Sequence, residues 1–348
     1  MASLAIPTSY KIPGIPLYQQ IDASGCGAAS LQMVFAHYGP FIDQMEIYDA
    51  ARTHGTTLPD LARAAQFSNL STTVGDRFEK GETTGYQERS LGYAGFFYAS
   101  TAPWLDQLKA IVAQGYPVIV LVHWLPGTTK TDLAFHYRVV IGYDDAKGVL
   151  MMLDPWSRQF KNDMNYQGSS SGFAGGKAWD TNFGSFNMTY ADFLTTWNAS
   201  TTIWGVPGLA YGGVLVTPWQ VQLTTTPASV SPGATATISA TITYPVLAPF
   251  GSGPFPTFPA SGVQATLGVG NGAVVVGGPT AALGSLSAGQ SVSVAWTVHA
   301  GATAGSVPVL VTASGLVSGS LGPWGDWPAY SYTDQIGGTA MGSLSIGG

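Results

Sequence analysis

The chain has little charge, one cysteine and no long apolar run, and each shortage removes a class of function. Asp, Glu, Lys and Arg make up 9% of its 348 residues, against about 25% in ordinary soluble proteins. There is no cluster of Lys or Arg to hold phosphates and the formal net charge is -6, which excludes nucleic acid as a partner. The longest apolar stretch, Val118 to Leu125, falls well short of the roughly 20 residues of a membrane span and reads as a buried strand. With Cys26 as the single cysteine no intramolecular disulfide can form, and cysteine usage does not fix the compartment. Residues 1 to 14 lack both a basic region and an apolar core and do not read as a signal peptide. Beyond Lys177 there is no Lys or Arg, so trypsin-like enzymes find nothing to cut there. Few titrating groups also mean little self-repulsion in acid. The expectation is an extracellular or cell-surface protein suited to acidic or protease-rich surroundings.

The lone cysteine sits in the stretch that organises the chain, Gln20-Ile21-Asp22-Ala23-Ser24-Gly25-Cys26-Gly27. After it, Leu31, Val34, Phe35 and Tyr38 recur at i, i+3, i+4 and i+7, the spacing of one buried helical face, and Gly39-Pro40 stops the helix. Cys26 is therefore predicted in the first helical turn, where backbone N–H groups and the helix dipole favour an anion. A thiol there is expected to ionise more easily. By itself a single cysteine is more often a small buried hydrophobe. A nucleophilic one also needs a base, a group to orient the base, and donors for the oxyanion.

A later segment offers the base and its orienter. Tyr137 to Tyr143 is β-branched and aromatic, Val149 to Leu153 is a short apolar run, and a turn at Asp144 to Gly148 joins them. His136 opens the first strand and Asp154 closes the second. In an antiparallel hairpin the start of one strand lies beside the end of the next, so the two side chains are expected to be neighbours. A carboxylate there would hold the imidazole in one tautomer. Asp154 before Pro155 also fits a turn former, and His123 is a competing histidine without a carboxylate partner.

Together these residues resemble the papain-like cysteine peptidases, most closely the stand-alone relatives of the bacteriocin-processing, double-glycine-cleaving peptidases. The likeness rests on Gln20 six positions before Cys26-Gly27, on His136-Tyr137 followed by Gly142-Tyr143-Asp144, on Asp154-Pro155-Trp156, and on Tyr190-Ala191-Asp192-Phe193 through Trp197. It spans about residues 12 to 217. It implies Cys26 as nucleophile, His136 as base, Asp154 as orienter, and the Gln20 amide with the Cys26 N–H as oxyanion hole, with Gln19 as the neighbouring alternative to Gln20. It implies a peptide or protein substrate and no metal or organic cofactor, and it offers cleavage after Gly-Gly as an inherited specificity. The chain departs from many relatives in carrying Gly25 before the cysteine and Ala28 two after it, where they have Asp or Asn and Pro.

Elsewhere in the first 217 residues, helices are predicted at Leu58 to Phe67 and Trp104 to Gln114, and a strand at Tyr116 to Trp124. Thr73 to Ser90 holds much of the charge and reads as a solvated excursion, and Ser157 to Ser185 as a Gly/Ser-rich loop. From Trp219 the pattern becomes all-β: short period-2 strands at Thr235 to Thr243, Gly262 to Val269, Ala273 to Val276, Ser291 to Val298 and Val307 to Ala313. Such strands suggest a sandwich, and the Ser231-Pro232-Gly233 and Ala288-Gly289-Gln290 turns resemble those of immunoglobulin-like accessory modules on secreted prokaryotic hydrolases. The fold expected is an α+β papain-like cysteine peptidase domain (1–217), an all-β immunoglobulin-like sandwich (218–316) and a Gly/aromatic-rich tail (317–348). The sandwich is expected to contact a cell surface or polymer. Two other functions share these features: a non-enzymatic peptide-binding or adhesion protein, and an acyl transferase or amidase using the same triad.

Overall fold

The computed structural model describes residues 6–21, 24–51, 56–68, 91–123, 135–156, 184–199, 202–203, 206–207, 209–252, 258–323 and 329–347. The charged stretch Thr73 to Ser90 and nearly all of Ser157 to Ser185 lie outside these residues. The chain opens with β1 (Ser9–Lys11) and then α1 (Cys26–Tyr38). Gly39 ends α1 with φ 121, a left-handed conformation that glycine adopts without strain, and its N–H closes back on the Phe35 and Ala36 carbonyls. The expected face of α1 is buried, but so is every residue from Cys26 to Phe35. The helix is a central element and not an amphipathic one lying on a surface.

Two short helices follow. Helix α2 (Gln44–Ala50), which the apolar periodicity does not reveal, starts at a reciprocal capping box between Asp43 and Glu46. Helix α3 (Leu58–Ala64) starts at Thr57, whose hydroxyl accepts from the Asp60 N–H, with Pro59 in its first turn. Strand β2 (Ala94–Tyr98), α4 (Leu105–Ala113), β3 (Val118–His123), β4 (Phe135–Asp144), β5 (Val149–Leu153), β6 (Ser185–Thr189) and α5 (Tyr190–Trp197) come next. After the short ribbon β7 (Thr202–Ile203) and β8 (Val206–Pro207), β9 (Gly213–Thr217) returns to the middle of the sheet. The strand order is β2-β9-β3-β4-β5-β6, all antiparallel, with β1 paired to the far end of β4. No helix of the described residues is long and apolar enough to cross a membrane.

Pro218 and Trp219 alone separate β9 from β10 (Gln220–Thr226). The remaining strands are β11 (Ser229–Val230), β12 (Thr235–Thr243), β13 (Ala260–Val269), β14 (Ala273–Val276), β15 (Thr280–Leu286), β16 (Ser291–Ala300), β17 (Gly305–Leu321) and β18 (Tyr330–Ile346). They form two sheets, β10-β12-β16-β14 and β11-β18-β17-β13-β15. Residues 317–348 are not a tail. Residue 317 falls inside β17, and β18 pairs with β17 along all of its length, from Tyr330 opposite Leu321 to Ile346 opposite Gly305. Glycines at 337, 338 and 342 hide this strand from a propensity reading. They are needed for close approach, since a Cβ at Gly338 would run into the Trp219 carbonyl.

The two halves share one apolar core and do not bury separate ones. The Tyr244 ring sits against Trp219 at 4.9 Å and against Phe96 of β2 at 5.6 Å, and Phe250 packs on Trp104 at 5.4 Å. Beside these aromatics lies a buried ion pair. Asp334 of β18 accepts from the Ser68 hydroxyl at 2.8 Å and faces the Arg63 guanidinium of α3 at 3.5 Å, and both charged side chains are essentially inaccessible. Arg63 also donates to the Ala50 carbonyl and lies over the Tyr332 ring. Removing one member of such a pair leaves a buried charge uncompensated, at a cost of about 3–5 kcal/mol. Asp334→Ala is therefore expected to lower stability by about that amount in denaturant titrations. A loss below about 1 kcal/mol would show that the pair does not brace the hairpin.

Candidate active site

The hairpin of β4 and β5 builds the polar centre of the site. Val139 pairs with Leu153 and Val140 with Met152 before a bulge at Ile141. Continuing this register one step sets Asp154 opposite Arg138, with His136 two residues further along the same face. Both reach the carboxylate. His136 Nε2 lies 2.8 Å from Asp154 Oδ1, and Arg138 Nε donates to Asp154 Oδ2 at 2.8 Å. Oδ1 also accepts the Trp156 N–H at 2.9 Å. Asp154 is thus at once the turn former and the partner of the imidazole.

All of this is buried, which makes the charges interact strongly. Burial alone would raise the Asp154 pKa, but His136 and Arg138 together outweigh it and hold the carboxyl well below its ordinary range. For His136, burial has the larger effect and lowers the imidazole pKa despite the neighbouring carboxylate. Trp156 closes one side, its ring 6.3 Å from the imidazole in an edge-on arrangement, and the Arg138 guanidinium rests over Phe186 at 5.4 Å. Because Nε2 is committed to Asp154, the nitrogen that can exchange a proton elsewhere is Nδ1.

Cys26 occupies the first turn of α1 against the β4 backbone. No side chain caps this helix, and the sulfur receives backbone hydrogen bonds from Tyr137, from Gly27 and from its own residue. These lower the thiol pKa, as expected for a helix start, yet burial wins and pushes it up to about 11. The expected easier ionisation is therefore reversed, because α1 is enclosed on all sides. Gly27 permits the close fit: a Cβ there would lie 2.6 Å from the Thr56 hydroxyl and 3.3 Å from the Tyr137 ring. The Tyr137 hydroxyl in turn donates to the Thr56 carbonyl at 2.9 Å.

Gln20 and Gln19 separate clearly. Gln20 is 1% exposed, whereas Gln19 lies at the surface. The Gln20 N–H donates to the Pro155 carbonyl at 2.6 Å, which ties the loop before α1 to the segment that carries Asp154. Across the β3–β4 ladder, Val122 pairs with His136 and His123 with Phe135, so the two histidines alternate onto opposite faces. His123 is lowered by burial and bonds to the Asn198 backbone, away from Asp154. Arg138 was not among the expected site residues, although its position two after His136 on the same strand face is the signal that could have found it. Gln32 and Gln44, which brace the Gln20 loop, carry no motif in the sequence. Among the described residues no group of three His, Cys, Asp or Glu is placed to hold a metal.

The structure thus sets a carboxylate-bound imidazole on β4 and a buried thiol at the start of α1, the helix packed against β4; thiol and imidazole are the two groups that acyl transfer requires. Solved structures similar to the chain include two peptidases. The peptidase domain of Streptococcus ComA, a bifunctional ABC transporter involved in quorum sensing, is 17% identical with a TM-score of 0.33, covering 59% of this chain and 99% of that one. Xylellain, a cysteine protease from Xylella fastidiosa, is 16% identical with a TM-score of 0.37, covering 61% of this chain and 87% of that one. Likenesses of this size carry no argument about activity. No curated protein matches the chain. Residues 12–183 match the family model of the Peptidase_C39 like family, which supports a cysteine peptidase. This part of the chain is therefore a domain of the Peptidase_C39 like family.

Proposed function

We propose that the chain is a secreted or cell-surface thiol peptidase in which Cys26 is the nucleophile, His136 the general base and Asp154 the orienting carboxylate. The Gln20 side-chain amide and the Cys26 N–H are the oxyanion donors. The observation that carries this reading is the 2.8 Å contact between His136 Nε2 and a carboxylate whose other oxygen is fixed by Arg138. Cys26 Sγ attacks a peptide carbonyl carbon as its proton passes to His136 Nδ1. The imidazolium returns that proton to the leaving amine, and water, deprotonated by His136, then clears the thioester. Both thiol and imidazole rest uncharged, so the charge that Asp154 stabilises develops only as bonds change, where electrostatic stabilisation lowers the barrier. In this reading the C-terminal sheets are an immunoglobulin-like module that contacts a cell surface or polymer.

A mixed peptide library tests the assignment. Cys26→Ala and His136→Ala are expected to lower kcat by about 10⁴-fold or more, and Asp154→Ala by about 10³–10⁴-fold. Peptides retained uncut by folded wild-type protein would support the binding-protein reading instead.

The pH dependence has a definite sign. The base works when neutral and its pKa lies below the ordinary 6.5, so the acid limb of kcat/KM is expected below pH 6.5. Alkylation of Cys26 by a neutral reagent is expected to keep rising beyond neutrality, toward a midpoint of about 11. A rate already at its plateau in mild acid would instead show a preformed thiolate–imidazolium pair.

A further inference from the structure

The loop that carries Gln20 has no regular secondary structure, yet an oxyanion donor must stay within about 2.7–3.1 Å of an oxygen that moves during reaction. One side chain grips this loop on both sides of Gln20. Gln44, the first residue of α2, donates from Nε2 to the Gln19 carbonyl at 2.8 Å and accepts at Oε1 from the Ile21 N–H at 3.2 Å. Its Nε2 also donates to Gln32 Oε1 at 2.9 Å, and Gln32 Nε2 donates to the Ile42 carbonyl at 2.6 Å. Both amides are buried, Gln44 at 5% and Gln32 at 3% exposure.

We propose that Gln44 is a positioning residue for the oxyanion site, holding the peptide units that flank Gln20 in register with the nucleophile. The inference rests on the peptidase reading and on the Gln20 role within it. Gln32 lies on α1, the helix that begins with Cys26. The relay from Gln32 through Gln44 to Gln19 and Ile21 therefore fixes the donor loop to the same rigid body as the sulfur. On the opposite side the Gln20 N–H is held by Pro155, so the loop is pinned from the nucleophile helix and from the Asp154 segment together. A misplacement of about 1 Å at such a site costs about 10²-fold in rate.

The test compares Gln44→Glu and Gln44→Leu with wild type in steady-state peptide hydrolysis and in Cys26 alkylation by iodoacetamide. Alkylation displaces iodide and forms no oxyanion, so it reads the nucleophile apart from the donor. Both variants are expected to lose about 10- to 100-fold in kcat, with KM within about twofold and alkylation unchanged. In Gln44→Glu the carboxylate has no proton to give the Gln19 carbonyl. Protonation restores one donor, so the ratio of its kcat to wild type should climb as pH falls, and Gln44→Leu should show no such recovery. Amide exchange at Ile21 should quicken in Gln44→Leu. Unchanged kcat in folded variants, or alkylation falling in step with kcat, overturns the proposal. A wild-type protein that alkylates but cleaves nothing removes the peptidase reading, and the inference falls with it.

Discussion

A single buried carboxylate holds the site together. Asp154 can stay ionised out of water because one strand face supplies two partners, His136 and Arg138, and because the Trp156 N–H adds a third hydrogen bond. The geometry follows from β-sheet periodicity: residues two apart on β4 face the same way, and the end of β5 comes up opposite them. Each partner depends on the others. The imidazole is oriented only while the carboxylate is, and Arg138 holds the oxygen that His136 does not use.

The rest of the fold brings two further segments to this hairpin. Helix α1 meets β4 at Gly27, where a Cβ would run into the Thr56 hydroxyl and press on the Tyr137 ring. The loop before α1 meets the Asp154 segment through the Gln20 N–H and the Pro155 carbonyl. Thr56 immediately precedes the cap of α3, and α3 carries Arg63, the residue that receives Asp334 from the C-terminal hairpin. The β-rich half is thus braced against an element that packs close to Cys26. Its aromatic residues complete the core beneath β2 and α4, which is why no linker separates the halves.

Much of the site region was legible because it depends on local patterns. The strand–turn–strand alternation around Asp144 to Gly148 gave the hairpin, and the hairpin brought His136 and Asp154 together. The helix after Cys26 followed from apolar spacing and from Gly39-Pro40. What stayed hidden depends on long-range packing. Strand β18 is rich in glycine and reads as a tail until β17 pairs with it, and its glycines serve contacts that only the tertiary fold defines. The thiol pKa was misjudged for the same reason. The helix start does favour the anion, but the sequence showed one buried face of α1, whereas burial on every side decides the sign. Gln44 was illegible because a side chain that holds a loop backbone leaves no spacing to detect.

The low charge of the chain also acquires a structural meaning. Among the described residues two ion pairs are buried, Arg138–Asp154 and Arg63–Asp334, while Lys109–Asp145 and Lys147–Asp144 lie nearer the surface. Exposed strands of the C-terminal half carry hydroxyl pairs, such as Thr241 with Ser293, Thr243 with Ser291 and Thr266 with Thr280. With so few surface charges, acid builds up little repulsion across the molecule. Part of the sensitivity to acid then lies at the site. His136, lowered in the folded state, gains its proton first in the unfolded chain, so stability falls as pH drops below about 6.5. Asp154, also lowered, contributes stability above about 3.8 that is lost as pH falls further toward its folded value. Both slopes run the same way as those of Asp144 and Asp145, which Lys147 and Lys109 hold below the ordinary carboxylate range at the far end of the same hairpin, so its buried centre and its surface turn lose stability together in acid.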